Sequence, residues 1–218
     1  MNVNVQYGCG LSCPDGWINF DASPALRAQR LPVIGRIFRK LPPAFPGAVR
    51  YGDIVKGLPV ADRSADLVYA SHVLEHLAYD DCAAALRNTF RVLKPGGVFR
   101  LVVPDLQVRA ARYLEKLARG ERGANDWLMR ASGLGRASRP RTPLEMLRAA
   151  IGNSHHQWMW DQAAMTAALQ RAGFVAVRRC RLHDSGHPAF RLVEQPDRFH
   201  DPGEDLEECA MEARTPLA

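Results

Sequence analysis

The chain begins with short segments in which apolar residues alternate with polar ones, and most of these segments end at a turn residue. Such segments predict β-strands. The fourth has a continuous apolar centre, which is typical of a strand buried on both faces. Five strands are predicted in the first half of the chain: "VNVQYG", "WINFD", "AVRYGDI", "ADLVYAS" and "VFRLVVPD".

Helical periodicity appears between these strands. Ala83, Leu86, Phe90 and Leu93 recur at intervals of three and four within "DDCAAALRNTFRVL", which predicts an amphipathic helix that ends at "KPGG". "SPALRAQRLPVIGRIFRKL" starts with a Ser-Pro helix signal, but a proline and a glycine interrupt it. Strands that alternate with helices predict an α/β fold with a doubly wound, mostly parallel sheet.

The alternation stops after residue 105. A helix is predicted at about 106–119, and arginine-rich loops and the apolar run "LEMLRAAIG" follow it. Because residues 106–157 are too long for a simple connection, we interpret them as a basic helical insertion or lid beside the site.

The remaining sequence predicts the end of the domain. A helix is expected at about 161–172, with Gly173 as its stop. "VAVRRCRL" and "AFRLVEQ" predict two antiparallel strands. We expect residues 1–195 to form one domain and residues 196–218 to form an acidic, partly disordered tail.

Composition supports one globular domain. The 218 residues are 47% hydrophobic and 24% charged. No apolar run approaches the ~20 residues of a membrane span, and no signal peptide is recognisable. The five cysteines are scattered, which favours reduced thiols and a cytoplasmic location. Structural zinc at Cys9 and Cys13 is disfavoured because no second pair of ligands follows them.

The net charge of +6 is unevenly distributed. Residues 106–157 contain ten basic residues and four acids, whereas residues 196–218 contain seven acids and two arginines. A basic face can attract phosphates, nucleic acid or lipid headgroups. A solvated arginine-rich surface is the favoured interpretation.

Three predicted strands end in residues suited to a nucleoside. Ligands of open parallel sheets bind at the carboxyl ends of the strands. Gly8 and Gly10 would let the backbone turn sharply beside a ligand. Asp21 could accept both hydroxyls of a ribose, or could cap the following helix. Asp53 could accept from the amine of adenine, with Ile54 against the ring.

Four stretches together resemble the motifs of class I S-adenosylmethionine-dependent methyltransferases of the type 11 group. They are "YGCG…GWINFD", "YGDIVKGLPVADRSADLVYASHVLEHL", "FRVLKPGGVFRLVVPD" and "RAGF". The resemblance covers residues 3–104 and resumes at about 155–195. It implies a Rossmann-like seven-stranded sheet with the last strand antiparallel. It also implies S-adenosyl-L-methionine as the cofactor and S-adenosyl-L-homocysteine as its product.

The resemblance also implies the cofactor contacts. The glycine turn would line the methionine part, Asp21 the ribose and Asp53 the adenine. Ser12 stands where the family usually has a third small residue in this turn, and no helix precedes the first strand. The implied contacts are Tyr7, Gly8, Cys9, Gly10, Asp21, Ala22, Asp53, Ile54, Ser71 and His72.

Three histidines are candidate catalytic residues. The resemblance implies that His76, in "EHL", lies near the transferred methyl group. His155 and His156, in "SHHQWMWD", could deprotonate a hydroxyl group near neutral pH, or could anchor the next helix. No carboxylate cluster predicts a magnesium site, so we expect no metal.

We therefore expect methyl transfer to an oxygen or nitrogen of a small-molecule or glycan-like acceptor. One alternative is an RNA or other polyanionic acceptor, which is not favoured. Another is a cofactor-binding protein of the same fold without catalysis. A nicotinamide dehydrogenase is disfavoured because Cys13 occupies the third glycine position of its fingerprint. The sequence does not predict the oligomeric state.

Overall fold

A seven-stranded sheet forms the centre of the molecule in the computed structural model, which describes residues 2–32, 44–136, 138–142 and 155–217. Its strands are β1 (Asn4–Tyr7), β2 (Ile18–Asp21), β3 (Arg50–Tyr51), β4 (Ala65–Ser71), β5 (Leu93–Val103), β6 (Val175–Arg179) and β9 (Cys209–Arg214). The strand order is β3-β2-β1-β4-β5-β9-β6, and β9 runs antiparallel to both of its neighbours.

The strand pairs β2–β3, β1–β2, β1–β4 and β4–β5 are parallel, which confirms the predicted fold class. The carboxyl ends of β1, β2 and β4 therefore lie at one edge of the sheet. A separate hairpin consists of β7 (His200–Asp201) and β8 (Leu206–Glu207).

Helices and two short 3₁₀ turns connect the strands. Side-chain caps begin three of the helices: Ser23, Asp105 and Asp161 each accept a backbone N–H of the first turn. The helices are α1 (Pro24–Gln29), α2 (Tyr79–Val92), α3 (Leu106–Ala118), α4 (Ala124–Ala131), α5 (Gln162–Arg171) and α6 (Pro196–Phe199), and the 3₁₀ turns are Leu74–His76 and Pro188–Leu192.

Most predicted elements are present. Strand β4 coincides with "ADLVYAS", and α2, α3 and α5 follow the predicted helices within a few residues. The predicted helix after Ser23 ends at Gln29, and its continuation over 33–43 lies outside the described residues. The run "LEMLRAAIG" lies entirely in 143–154, also outside them. None of the helices in the described ranges is long and apolar enough to cross a membrane.

The prediction for the end of the chain was wrong. "AFRLVEQ" contains a 3₁₀ turn rather than a strand, and the seventh strand is Cys209–Arg214, within the predicted tail. Two acids of this tail, Glu208 and Glu212, pair with the buried arginines Arg109 and Arg100. Glu212 lies 2.8 Å from Nη1 of Arg100 and 3.0 Å from Nη2 of Arg178. These ion pairs lie across β5, β9 and β6, so the acids stabilise the sheet.

Part of the basic charge of residues 106–157 is also used internally. Arg109 of α3 is 2% exposed, and its Nη1 lies 2.8 Å from Glu208, directly before β9. Its Nε donates to the carbonyl of Ala131 at the end of α4. Arg109 therefore links both described helices of this segment to the sheet.

Candidate functional site

The turn after β1 strongly favours glycine at its first position. Gly8 and Gly10 have φ angles of +63° and +55°, in the left-handed region that favours glycine. A Cβ atom on Gly8 would lie 2.1 Å from Cγ2 of Val73, which follows β4. The glycine turn is thus in close contact with the segment that leaves β4.

The Asp21 carboxylate holds the glycine turn in place. Its Oδ2 accepts the N–H of Gly10 at 2.9 Å, and its Oδ1 accepts the N–H of Ser23 at 2.7 Å. The side chain is buried, while the neighbouring Ala22 is exposed. Each oxygen retains acceptor capacity beyond these bonds. The ends of β1 and β2 therefore form one rigid unit.

Asp53 and Ile54 follow β3 at the same edge of the sheet. Oδ1 of Asp53 accepts the N–H of Val55 at 3.0 Å, and its Oδ2 lies 3.6 Å from Nζ of Lys56. Ile54 packs into the main hydrophobic core, and its carbonyl accepts from the Asn88 side chain at 2.8 Å. Asp53 is the more accessible of the two.

The side chains of Tyr7 and Cys9 are turned into the protein. The Tyr7 hydroxyl accepts from Thr89 at 3.2 Å, and burial raises the pKa of this hydroxyl. Burial and the nearby Asp21 carboxylate raise the pKa of the Cys9 thiol to about 12, so the thiol stays protonated. Contacts of these two residues with a ligand would come from the backbone.

Ser71 and His72 end β4 beside the glycine turn. The Ser71 Oγ is buried and has no hydrogen-bond partner among the described residues. His72 has a φ of +53°, and its Nε2 lies 3.0 Å from the carbonyl of Arg198. Burial alone would lower the pKa of His72, but the Glu75 carboxylate and the Arg198 carbonyl raise this pKa by more than burial lowers it. The balance is a raised pKa.

Residues 155–158 dock on the 3₁₀ turn that follows β4. The carbonyl of Glu75 accepts the N–H groups of Gln157, at 2.7 Å, and Trp158, at 3.2 Å. The side chain of Gln157 donates to the carbonyl of His76 at 2.9 Å. Two segments that are about 80 residues apart in sequence are therefore fixed to each other by the main chain.

This docking brings two of the three candidate catalytic histidines together. The rings of His76 and His156 have centroids 5.0 Å apart, whereas His155 contributes its backbone carbonyl, 3.2 Å from Nδ1 of His76. Nδ1 of His156 lies 2.7 Å from the carbonyl of Ser132. Burial lowers the pKa of His156 more than the nearby Glu75 carboxylate raises it.

Part of the chain is similar to known methyltransferases. Residues 35–101 match the family model described as a methyltransferase domain. A probable S-adenosylmethionine-dependent methyltransferase of Mycolicibacterium smegmatis is 42% identical over 57 residues, which make up 26% of this chain and 21% of that protein. The match thus spans about a fifth of the relative's length.

Solved structures show the same architecture. An S-adenosylmethionine-dependent methyltransferase from Methanosarcina mazei has a TM-score of 0.50 at 15% identity, over 100% of this chain and 93% of that one. The CMeT domain of the citrinin polyketide synthase has a TM-score of 0.50 at 15% identity, over 100% of this chain and 47% of that one. At this identity they show the fold alone.

Residues 35–101 thus resemble a methyltransferase domain, and the chain shares its fold with these solved structures.

Two residues near the candidate site were not predicted. Glu75 is 0% exposed and lies between His72 and His76. In the sequence it was only a member of the "EHL" motif, with no signal that it would be buried between two histidines. Gly133 seats His156, because a Cβ there would lie 2.6 Å from Nδ1 of that ring. The positive φ of Gly133, +65°, explains a glycine at this turn.

Proposed function

We propose that the chain is an S-adenosylmethionine-dependent methyltransferase that methylates an oxygen or nitrogen of a small-molecule or glycan-like acceptor. S-adenosylhomocysteine is the second product. One observation carries the proposal: the glycine turn is held on the Asp21 carboxylate, directly beside the segment that leads from β4 to the paired histidines. The matched methyltransferase segment includes β4 and most of β5.

Three features of the sheet edge fit this cofactor. A Cβ on Gly10 would meet no atom within 4 Å, so space is open beside the turn. The buried Ser71 Oγ lacks a partner among the described residues, and a carboxylate or amine of the methionine part can supply one. The Asp21 oxygens keep lone pairs for ribose hydroxyls. We assign Asp53 to the adenine amine because it follows the next strand of the sheet.

When bound, the cofactor supplies an activated methyl group on a positively charged sulfur. The residues of the chain then have to hold the acceptor in line with that group and keep water away. The side of the site that faces His76 and His156 is suited to a hydroxyl or amine acceptor. Because burial lowers its pKa, His156 stays neutral near neutral pH and can accept a proton from such an acceptor.

The insertion supports the acceptor side in this proposal. Ser132, at the end of α4, fixes the His156 ring through its carbonyl, and Arg109 ties α3 and α4 to Glu208. The described part of residues 106–157 would therefore act as a structural wall beside the histidines. Because the buried Arg109 is already paired, it offers no charge to a polyanion.

Calorimetric titration with S-adenosylmethionine and S-adenosylhomocysteine tests the proposal. We expect both to bind with a stoichiometry of one per chain. A library of alcohols, sugars, phenols and amines, scored by release of S-adenosylhomocysteine, then identifies the acceptor class. Absence of binding by either molecule would overturn the proposal. Binding without release from any acceptor would favour the non-catalytic alternative.

A further inference from the structure

We propose that Glu75, His76 and His156 form a binding site for a divalent transition-metal ion such as Zn²⁺ or Co²⁺. One ligand atom from each of the three residues lies within 4.8 Å of the other two. A carboxylate and two imidazoles are ligands that suit zinc and related transition metals better than magnesium. Three protein ligands also leave coordination positions for water or an acceptor oxygen.

Hydrogen bonds to carbonyls set the tautomer of both histidines. Nδ1 of His76 faces the carbonyl of His155, and Nδ1 of His156 faces the carbonyl of Ser132. A carbonyl only accepts, so each Nδ1 carries the hydrogen and each Nε2 of the neutral ring carries a free lone pair. Backbone carbonyls orient metal-binding histidines in the same way in known metal sites. Nε2 of His76 lies 3.9 Å from Oε1 of Glu75.

The Glu75 carboxylate is buried among histidines. The side chain is 1% exposed, and neither oxygen has a hydrogen bond of regular geometry among the described residues. Nδ1 of His72 lies 3.3 Å from Oε1 and is an ion-pair partner of the carboxylate when that histidine is protonated. A buried carboxylate without hydrogen bonds is strongly unfavourable unless a cation neutralises it. A metal ion between the oxygens and the two rings would do so.

The site is already assembled by contacts that do not involve a ligand. The carbonyl of Glu75 binds the N–H groups of Gln157 and Trp158, which places His156 next to the 3₁₀ turn. Gly133 allows the His156 ring to approach its backbone, since any Cβ there would collide with the ring. The three ligand residues therefore need little rearrangement on binding, and such preorganisation favours affinity.

The position of the site suggests its use. Val73 connects it to the glycine turn, against which Val73 packs. A cation there would lower the pKa of an acceptor hydroxyl that contacts it. A metal-bound His76 or His156 has no free lone pair and cannot accept the proton of the acceptor hydroxyl. The metal ion, rather than a histidine, would then activate that hydroxyl. This use rests on the proposed function, whereas metal binding does not.

Cobalt binding tests the proposal directly. Metal-free full-length protein is titrated with Co²⁺, and its visible absorption and the bound metal after dialysis are measured. We expect one Co²⁺ per chain, displaced by Zn²⁺. E75Q, H76Q and H156A should each bind more than about tenfold more weakly, since even changes outside the ligand shell cost that much. H200A, which removes an exposed histidine elsewhere, should bind like the wild type.

The outcomes separate folding, metal binding and methyl transfer. Circular dichroism and thermal melting establish that each variant is folded, and E75Q retains the shape of the replaced side chain. Absence of cobalt binding by the wild type, or unchanged binding by folded E75Q and H156A, would overturn the metal site. Calorimetry with S-adenosylmethionine in the presence of a chelator reports on the cofactor site alone.

Discussion

The N–H of Gly10 donates to Oδ2 of Asp21 at 2.9 Å, so one carboxylate joins the ends of β1 and β2. The residue proposed to bind the ribose therefore also shapes the turn that would contact the methionine part. Cofactor affinity and the local stability of the turn are coupled through this one side chain.

Asp21→Ala should weaken the binding of S-adenosylmethionine by about 1–3 kcal/mol, because charge-assisted hydrogen bonds contribute that much. It should also lower the free energy of unfolding by about 1–2 kcal/mol, since the Gly10 and Ser23 amides lose their acceptor. Calorimetry and urea unfolding measure the two effects. Asp126→Ala, at an exposed position of α4, is the matched control. Unchanged affinity in folded Asp21→Ala would remove Asp21 from the cofactor site.

Gly8→Ala should destabilise the protein by about 2–4 kcal/mol, because left-handed backbone strain adds to a collision with Val73. Gly10→Ala has a similar φ but open space, and should cost only about 1–2 kcal/mol. Denaturant unfolding compares the two. Val73→Ala in the Gly8→Ala background should recover part of the loss. Equal losses for both glycines would show that the contact with Val73 is unimportant.

Asp184 should make the protein sensitive to acid. Burial raises the pKa of this carboxyl, but hydrogen bonds from Arg178 and Arg100 outweigh it and hold the pKa at about 2. Because this value is below the ordinary 3.8, the stabilisation is present above about pH 4 and disappears as the pH falls towards 2.

Asp184→Asn should therefore lower the free energy of unfolding by about 1–2 kcal/mol at neutral pH, allowing for partial solvent screening. The difference from the wild type should shrink as the pH falls below about 4. Urea unfolding across this range gives the profile, with Asp126→Asn as a control at an exposed site. A difference that is independent of pH would exclude the ion pairs as its cause.

Turnover with a small acceptor should depend little on ionic strength. A polyanion held by several arginines would lose roughly 10³–10⁵ in affinity between about 50 and about 200 mM salt. We expect the ratio kcat/KM for an acceptor from the library to change less than about threefold over that range. Release of S-adenosylhomocysteine measures it. A loss of several orders of magnitude would favour the RNA or polyanion alternative.

The sequence predicted the elements whose pattern is local. Strand β4 has an apolar centre because both of its faces are covered. Asp21 ends β2 and Asp53 follows β3, so their place at one sheet edge could be inferred. Strand β9 was missed because Glu212, buried against Arg100, resembles a solvated acid in sequence. The pairing of His76 with His156 depends on backbone contacts between distant segments, which no periodicity encodes.

Strand β9 lies between β5 and β6, so the sheet is interrupted until the residues from 209 onwards join it. During synthesis, β5 and β6 would both be available with unpaired edges, which can pair with other chains. Slowing translation before residues 209–214 are made should therefore divert nascent molecules into aggregates, as should a competing peptide with the sequence of β9. Chaperones that shield strand edges should have their effect before β9 pairs.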